Sequence, residues 1–169
     1  TVSDPSGIGL GGAYDLTALQ DLVVKQYVNT FITRMAGDTA NMAEQYNKLQ
    51  ALSETSRHGI PVSISTDPRH HFQYTVGASA ATSGFSQWPE TLGLAAIGDD
   101  ALVRRFGDIA RQEYTAVGIR VALHPQIDLA TEPRWSRQLQ TFGEDAELTS
   151  RLGAAYIRGF QGRVLGADS

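Results

Sequence analysis

No cysteine occurs among the 169 residues, which removes disulfides, thiol nucleophiles and cysteine-based zinc sites. It does not fix the compartment, because many periplasmic and secreted enzymes also use little cysteine. Aromatic residues are few, yet apolar residues make up 41% of the chain, enough for one hydrophobic core and too much for wholesale disorder. Lys and Arg form no run and the net charge is −4, so a nucleic-acid partner has no electrostatic support. No stretch approaches the roughly 20 apolar residues that cross a bilayer. The opening Thr1-Val2-Ser3-Asp4-Pro5 lacks the basic and apolar regions of a signal peptide, so the chain reads as soluble with no membrane partner.

What is present is a repeated αβ pattern. Residues 1–13 have loop composition, with Pro5, Gly7, Gly9, Gly11 and Gly12. A helix is expected from Asp15, its cap, with Leu16, Leu19, Leu22, Val23 and Tyr27 at helical spacing, then a strand over 28–34. A second helix is expected from Asp38 through Met42, Tyr46, Leu49 and Leu52, ended by His58-Gly59 in the manner of a C-cap, and a strand over 60–66. A third starts at Asp99, places Leu102, Val103, Phe106, Ile109 and Ala110 on one face, stops at Gly118 and leads to a strand over 119–123. A last helix spans about 145–160.

Such alternation implies parallel strands, right-handed crossovers and covering helices. The long loops, 67–90 and 124–143, then lie at the C-terminal edge, where these folds place their chemistry. The Gly7 to Gly12 stretch follows no visible strand, so a dinucleotide fingerprint is disfavoured.

The most informative segment runs from His124 to Asp145 and carries Pro133-Arg134-Trp135-Ser136-Arg137. Planar guanidiniums suit sugar hydroxyls or carboxylates, and an indole offers a face to a pyranose ring. Equally, Arg134 and Arg137 could pair with Asp128, Glu132, Glu144 or Asp145 simply to hold the loop. Asp67-Pro68 could be only a turn. His70 and His71, with His124 and Asp128 on the same edge, would offer three imidazoles and a carboxylate to zinc or another borderline metal, but loop histidines bonded to backbone or lining a sugar pocket are commoner. No metal and no cofactor is assigned.

In order along the chain, Thr55 to Val62, Asp67, Phe85-Ser86-Gln87-Trp88-Pro89, Leu92 to Ala96, Pro125 to Asp128, Pro133 to Arg137, Phe142-Gly143-Glu144-Asp145 and Gly159 to Gly162 resemble the motifs of family 3 glycoside hydrolases. The resemblance covers nearly the whole chain. It implies a partial (β/α)8 TIM barrel, an α/β fold with about three parallel strands and four helices, in which 1–169 is a single segment of the barrel domain cut at both ends. It also implies that Asp67 bonds hydroxyls of the nonreducing-end glycosyl unit and that Arg137 reaches the same ring. Arg134, Trp135, His70 and His71 would be pocket wall or scaffolding. Two departures stand out: Ser136 replaces a common glycine, and Gln140 a common Glu.

Enzymes of this family are retaining and need two carboxyl groups about 5 to 5.5 Å apart. The resemblance places both outside this chain, so no catalytic residue is assigned here, and Asp67, Asp128, Glu132 and Glu144 are not expected to be that pair. The implied activity is removal of terminal β-D-glucosyl residues from β-glucosides or β-glucans, with a carbohydrate substrate, the remaining barrel and C-terminal segments as partners, and room for a homo-oligomer. The alternative is a noncatalytic sugar-binding or structural fragment. A periplasmic or secreted bacterial setting is favoured, with the cytoplasm open.

Overall fold

The computed structural model describes residues 11–72 and 84–166. Gly7 and Gly9, the middle of the 67–90 loop and the last three residues lie outside them. The described residues form two compact units, one built from segments within 1–69, 74–85 and 116–123, the other from 70–73, 86–115 and 124–169.

In the first unit the Asp15 side chain accepts from the Ala18 amide at 3.0 Å and starts α1 (Leu16–Gln20), which continues as a π-helical turn, Asp21–Lys25. Strand β1 (Thr30–Thr33) follows, then α2 (Thr39–Glu54), β2 (Ser63–Thr66) and, after a long excursion, β3 (Val121–Ala122). The three strands are parallel in the order β1-β2-β3, with Phe31 opposite Ile64 and Thr66 opposite Ala122. Val23, Met35, Met42, Leu49, Val62, Ile64, Val117 and Ile119 are buried.

The strands are shorter than their sequence suggests, and the reason is visible at β2. Residues before Ser63 are gripped by α2 instead of a neighbouring strand: Gln50 donates from Nε2 to the Val62 carbonyl (2.6 Å) and accepts from the Val62 amide (3.1 Å). Tyr46 donates its hydroxyl to the same carbonyl. The expected C-cap at His58-Gly59 is also corrected. Helix α2 stops at Glu54, because Thr55 turns its hydroxyl back onto the Leu52 carbonyl (2.7 Å), a side-chain bond that competes with helix continuation. Gly118 ends the next helix as expected; its φ is +85°, and the Tyr46 ring occupies the space that a Cβ would need.

In the second unit α3 (Thr91–Ile97), α4 (Asp100–Ala116) and α5 (Ala146–Gln161) surround a core of Leu94, Ala95, Val103, Phe106, Phe142, Leu152, Ala155 and Tyr156, with Trp88, Leu148 and Phe160 packed against it. Asp99 bonds the Ala101 and Leu102 amides and Asp145 the Leu148 amide, so both helices start where their aspartates predict. Helix α3 is additional to the expected four; Gly98 closes it in a left-handed conformation, its amide bonded to Leu94. Helices α4 and α5 meet at glycines, since a Cβ on Gly159 would run into Asp108 N and Gly107 Cα at 2.9 Å.

Candidate functional site

At the C-terminal end of β2, Asp67 is half-buried and its Oδ2 lies 3.5 Å from the Arg34 Nε. Behind it Arg69, 2% exposed, ties the ends of β1 and β2 together. Its Nε donates to the Thr66 hydroxyl (2.8 Å), Nη1 to the Met35 carbonyl (2.8 Å) and Nη2 to the Thr33 carbonyl (3.1 Å). A buried guanidinium stays charged, so it needs such oxygens around it. The result is a carboxylate at a strand end, backed by a cation and fixed backbone, that can accept hydrogen bonds from adjacent hydroxyls.

In the second unit the two sides of the 67–90 loop are zipped. The Trp88 amide donates to the His70 carbonyl (2.7 Å) and the Phe72 amide to the Trp88 carbonyl (3.1 Å), making an isolated parallel bridge between His71 and Trp88. His70 is buried and its Nε2 lies 2.8 Å from Glu113 Oε2. That oxygen also accepts from the amide (2.9 Å) and hydroxyl (3.1 Å) of Ser86, and the Trp88 indole donates to the Ser86 hydroxyl. His71 donates from Nδ1 to the Pro89 carbonyl (2.7 Å), which leaves Nε2 as the acceptor nitrogen of a neutral ring. Desolvation lowers its pKa. Thus both histidines hold the loop in place, while His71 keeps one acceptor nitrogen.

Glu90 stands at the same end, 6% exposed, and its Oε1 has no hydrogen-bond partner among the described residues. Burial pushes its carboxyl up to about 7. His124 follows β3 and is clasped by two tyrosines, with Nδ1 2.6 Å from the Tyr156 hydroxyl and Nε2 3.1 Å from that of Tyr114. Desolvation, reinforced by His71 and His70, pushes its pKa down to about 3, so it is neutral and structural.

The 124–143 loop folds onto itself. Arg134 is exposed and makes a two-pronged contact with Glu132, Nε to Oε1 at 2.8 Å and Nη2 to Oε2 at 3.0 Å. The Gln138 side chain donates to the Glu132 carbonyl. Arg137 donates from Nε to Gln140 Oε1 at 2.7 Å, Gln140 being buried in the 3₁₀ turn Gln138–Gln140. Trp135 is half-buried. The alternative in which an arginine merely holds the loop therefore describes Arg134, whereas Arg137 is braced by a neutral amide, leaving its charge uncompensated by that partner.

Of the expected residues, then, Asp67 lies in the first unit, and His70, His71, Arg134, Trp135 and Arg137 lie in the second. Among the described residues no three His, Asp or Glu side chains converge as metal ligands. Sequence reasoning missed Arg34, Arg69, Glu90, Glu113 and the bracing role of Gln140. Only Gln140 carried a signal, as a departure from the common Glu; Glu113 lies in the middle of a helix with nothing local to mark it.

Residues 14–167 match the family described as the glycosyl hydrolase family 3 N terminal domain. A periplasmic beta-glucosidase/beta-xylosidase of Dickeya chrysanthemi is 60% identical over 154 residues, covering 90% of this chain and 24% of that protein. A probable beta-glucosidase C of Aspergillus flavus is 53% identical over 80% of the chain and 22% of its own length. Among solved structures, a family 3 beta-N-acetylglucosaminidase from Paenibacillus superposes with a TM-score of 0.73 at 28% identity, over 90% of this chain and 28% of that one. The chain thus spans about a quarter of the length of these relatives, and its three parallel strands and covering helices fit part of an α/β barrel. It belongs to glycosyl hydrolase family 3.

Proposed function

We propose that the chain is the glycone-gripping part of a retaining β-glucosidase, continuous over 1–169 within one (β/α)8 barrel domain and completed by further barrel and C-terminal segments. The observation that carries the reading is Asp67: a half-buried carboxylate at the end of β2, with the Arg34 guanidinium beside it and the Arg69 lattice behind it. An ionised carboxylate held this way accepts two hydrogen bonds from neighbouring ring hydroxyls and fixes the sugar against rotation, which lowers the barrier by orientation. By the family resemblance Arg137, braced by Gln140, supplies donors to the same ring. Trp135, His70 and His71 shape the wall, and Arg134 holds the loop through Glu132.

The two reacting carboxyl groups of a retaining hydrolase are not assigned within this chain. Asp67 and Glu132 are engaged with arginines, and Asp128 and Glu144 are exposed loop residues. The substrate is a terminal β-linked neutral sugar, glucose first and xylose second, in keeping with the names of the Dickeya and Aspergillus relatives. The periplasmic relative favours a periplasmic or secreted setting.

The test is Asp67→Asn in the full-length protein, assayed on aryl β-glucosides. The variant should lose at least about a hundredfold in kcat/KM while melting close to the parent, because interactions that orient the reacting ring are worth several kcal/mol in the transition state. Unchanged kinetics would remove Asp67 from the site. A parent with no activity on any aryl glycoside would instead favour a noncatalytic sugar-binding role.

A further inference from the structure

Helices α4 and α5 carry a second feature that sugar hydrolysis does not use. Arg104, Arg105 and Arg111 on α4, Arg158 near the end of α5 and Arg163 just beyond it line a cleft of about 450 Å³, with Asp108 as the one carboxylate among its described lining residues. Arg104, Asp108 and Arg111 are four and three residues apart, so they share one helix face. The glycine contact at Gly107 and Gly159 draws the helices close, bringing the α5 arginines to the same cleft. Gly162, at a φ of +70°, passes the Arg111 guanidinium with no side chain in the way; a Cβ there would stand 3.4 Å from Nε.

The carboxylate is already occupied. Asp108 Oδ1 accepts from Arg111 Nε (3.2 Å) and Nη2 (2.7 Å), and Oδ2 accepts from the Gln112 amide (3.0 Å). Arg104, Arg105, Arg158 and Arg163 are exposed and have no acidic partner among the described residues. Among the described residues, five positive charges against one negative thus line a single concavity in a chain whose net charge is −4. Like charges so placed repel one another and raise the local affinity for counter-ions. Guanidinium forks match the oxygens of phosphate and sulfate two at a time, and an adjacent low-dielectric wall strengthens each bond.

We propose that this cleft binds a small solute bearing two or more phosphate or sulfate groups. The volume suits a small molecule, and several guanidiniums call for more than one anionic group. The site is independent of the glucosidase reading, since none of its residues is among the side chains assigned to the sugar.

The experiment is titration calorimetry on the full-length protein at 0.1 M NaCl with two probes, inorganic tripolyphosphate and sucrose octasulfate. Arg104→Gln/Arg158→Gln is the test variant, and Lys25→Gln/Lys48→Gln removes the same charge from another surface as the control. The parent and the lysine variant should bind tripolyphosphate with the same affinity, and the arginine variant at least tenfold more weakly. Binding of tripolyphosphate alone would assign the site to phosphate; binding of both would assign it to either oxyanion. Absence of saturable binding by both probes, or equal weakening by the lysine and arginine variants, would overturn the proposal. Aryl-glucoside hydrolysis by the arginine variant should equal the parent's, so a failure here leaves the sugar-site reading to be judged on Asp67.

Discussion

Glu90 and His124, both in the second unit, have been moved in opposite directions by the same burial. The Glu90 carboxyl goes from 4.5 up to about 7, so between those values the folded protein keeps a proton that the unfolded chain releases. Folding stability therefore falls as pH rises through that window, by about 3 kcal/mol in all. His124 goes from 6.5 down to about 3; the unfolded chain takes up a proton below pH 6.5 that the folded protein refuses, and stability falls as pH drops from there. Urea midpoints of the parent and Glu90→Gln from pH 4 to 8 should show the variant's advantage growing between pH 4.5 and 7 and flat beyond. A constant difference would mean that the Glu90 carboxyl titrates alike in the folded and unfolded chain. A second prediction concerns Gln140: with Gln140→Ala, Arg137 loses its brace and KM for an aryl β-glucoside should rise severalfold, whereas Gln140→Glu keeps an acceptor for the Arg137 Nε and should leave KM close to the parent's. Steady-state kinetics on both variants decides this. Asp67 and Arg137 could be singled out in the sequence because they sit inside long motifs at a strand end. Glu90 could not, because only its surroundings distinguish it from any loop carboxylate.

Helix starts were legible and helix ends less so. Asp15, Asp38 and Asp145 each precede an apolar periodic run, and each accepts an amide three residues on, at 2.7 to 3.0 Å. Such caps are local, hence readable. The end of α2 depends on whether the Thr55 hydroxyl turns inward, and the start of β2 on Gln50 reaching Val62 twelve residues away; neither is coded by neighbours in sequence. Helix α3 was hidden for a similar reason, as seven residues are too few to show periodicity. The glycine contact between α4 and α5 was invisible without the packing, and it supports a sharp prediction. Gly159→Ala places a methyl group against backbone atoms of α4 that cannot move aside, so it should cost about 3 kcal/mol or separate the helices. By contrast Gly166→Ala, with open space around it, should be neutral. Thermal melts of the two variants give the comparison.

On the scale of the whole molecule, the described sheet has two free sides, β1 and β3. Apolar residues on those strands stand open, Ile32 at 49% and Val121 at 41% exposed. Unpaired edges with exposed apolar side chains invite pairing with another chain. The isolated 169-residue chain should therefore self-associate at tens of micromolar in sedimentation velocity, while the full-length protein should not do so through this sheet; a strictly monomeric fragment would count against completion by further strands. The α/β alternation was plain from the sequence, but how the chain partitions was not, because 70–73 and 86–115 belong to one unit and the strands on either side of them to the other. The excursion from β2 to β3 begins with the His70, Phe72 and Trp88 clasp, which has a use in protein engineering. Two hydrogen bonds already bring together the ends of the intervening segment, so the closure entropy of any graft between them grows only with the logarithm of its length. Residues 73–85 are accordingly the place to exchange loops between relatives, with the segments on either side left untouched.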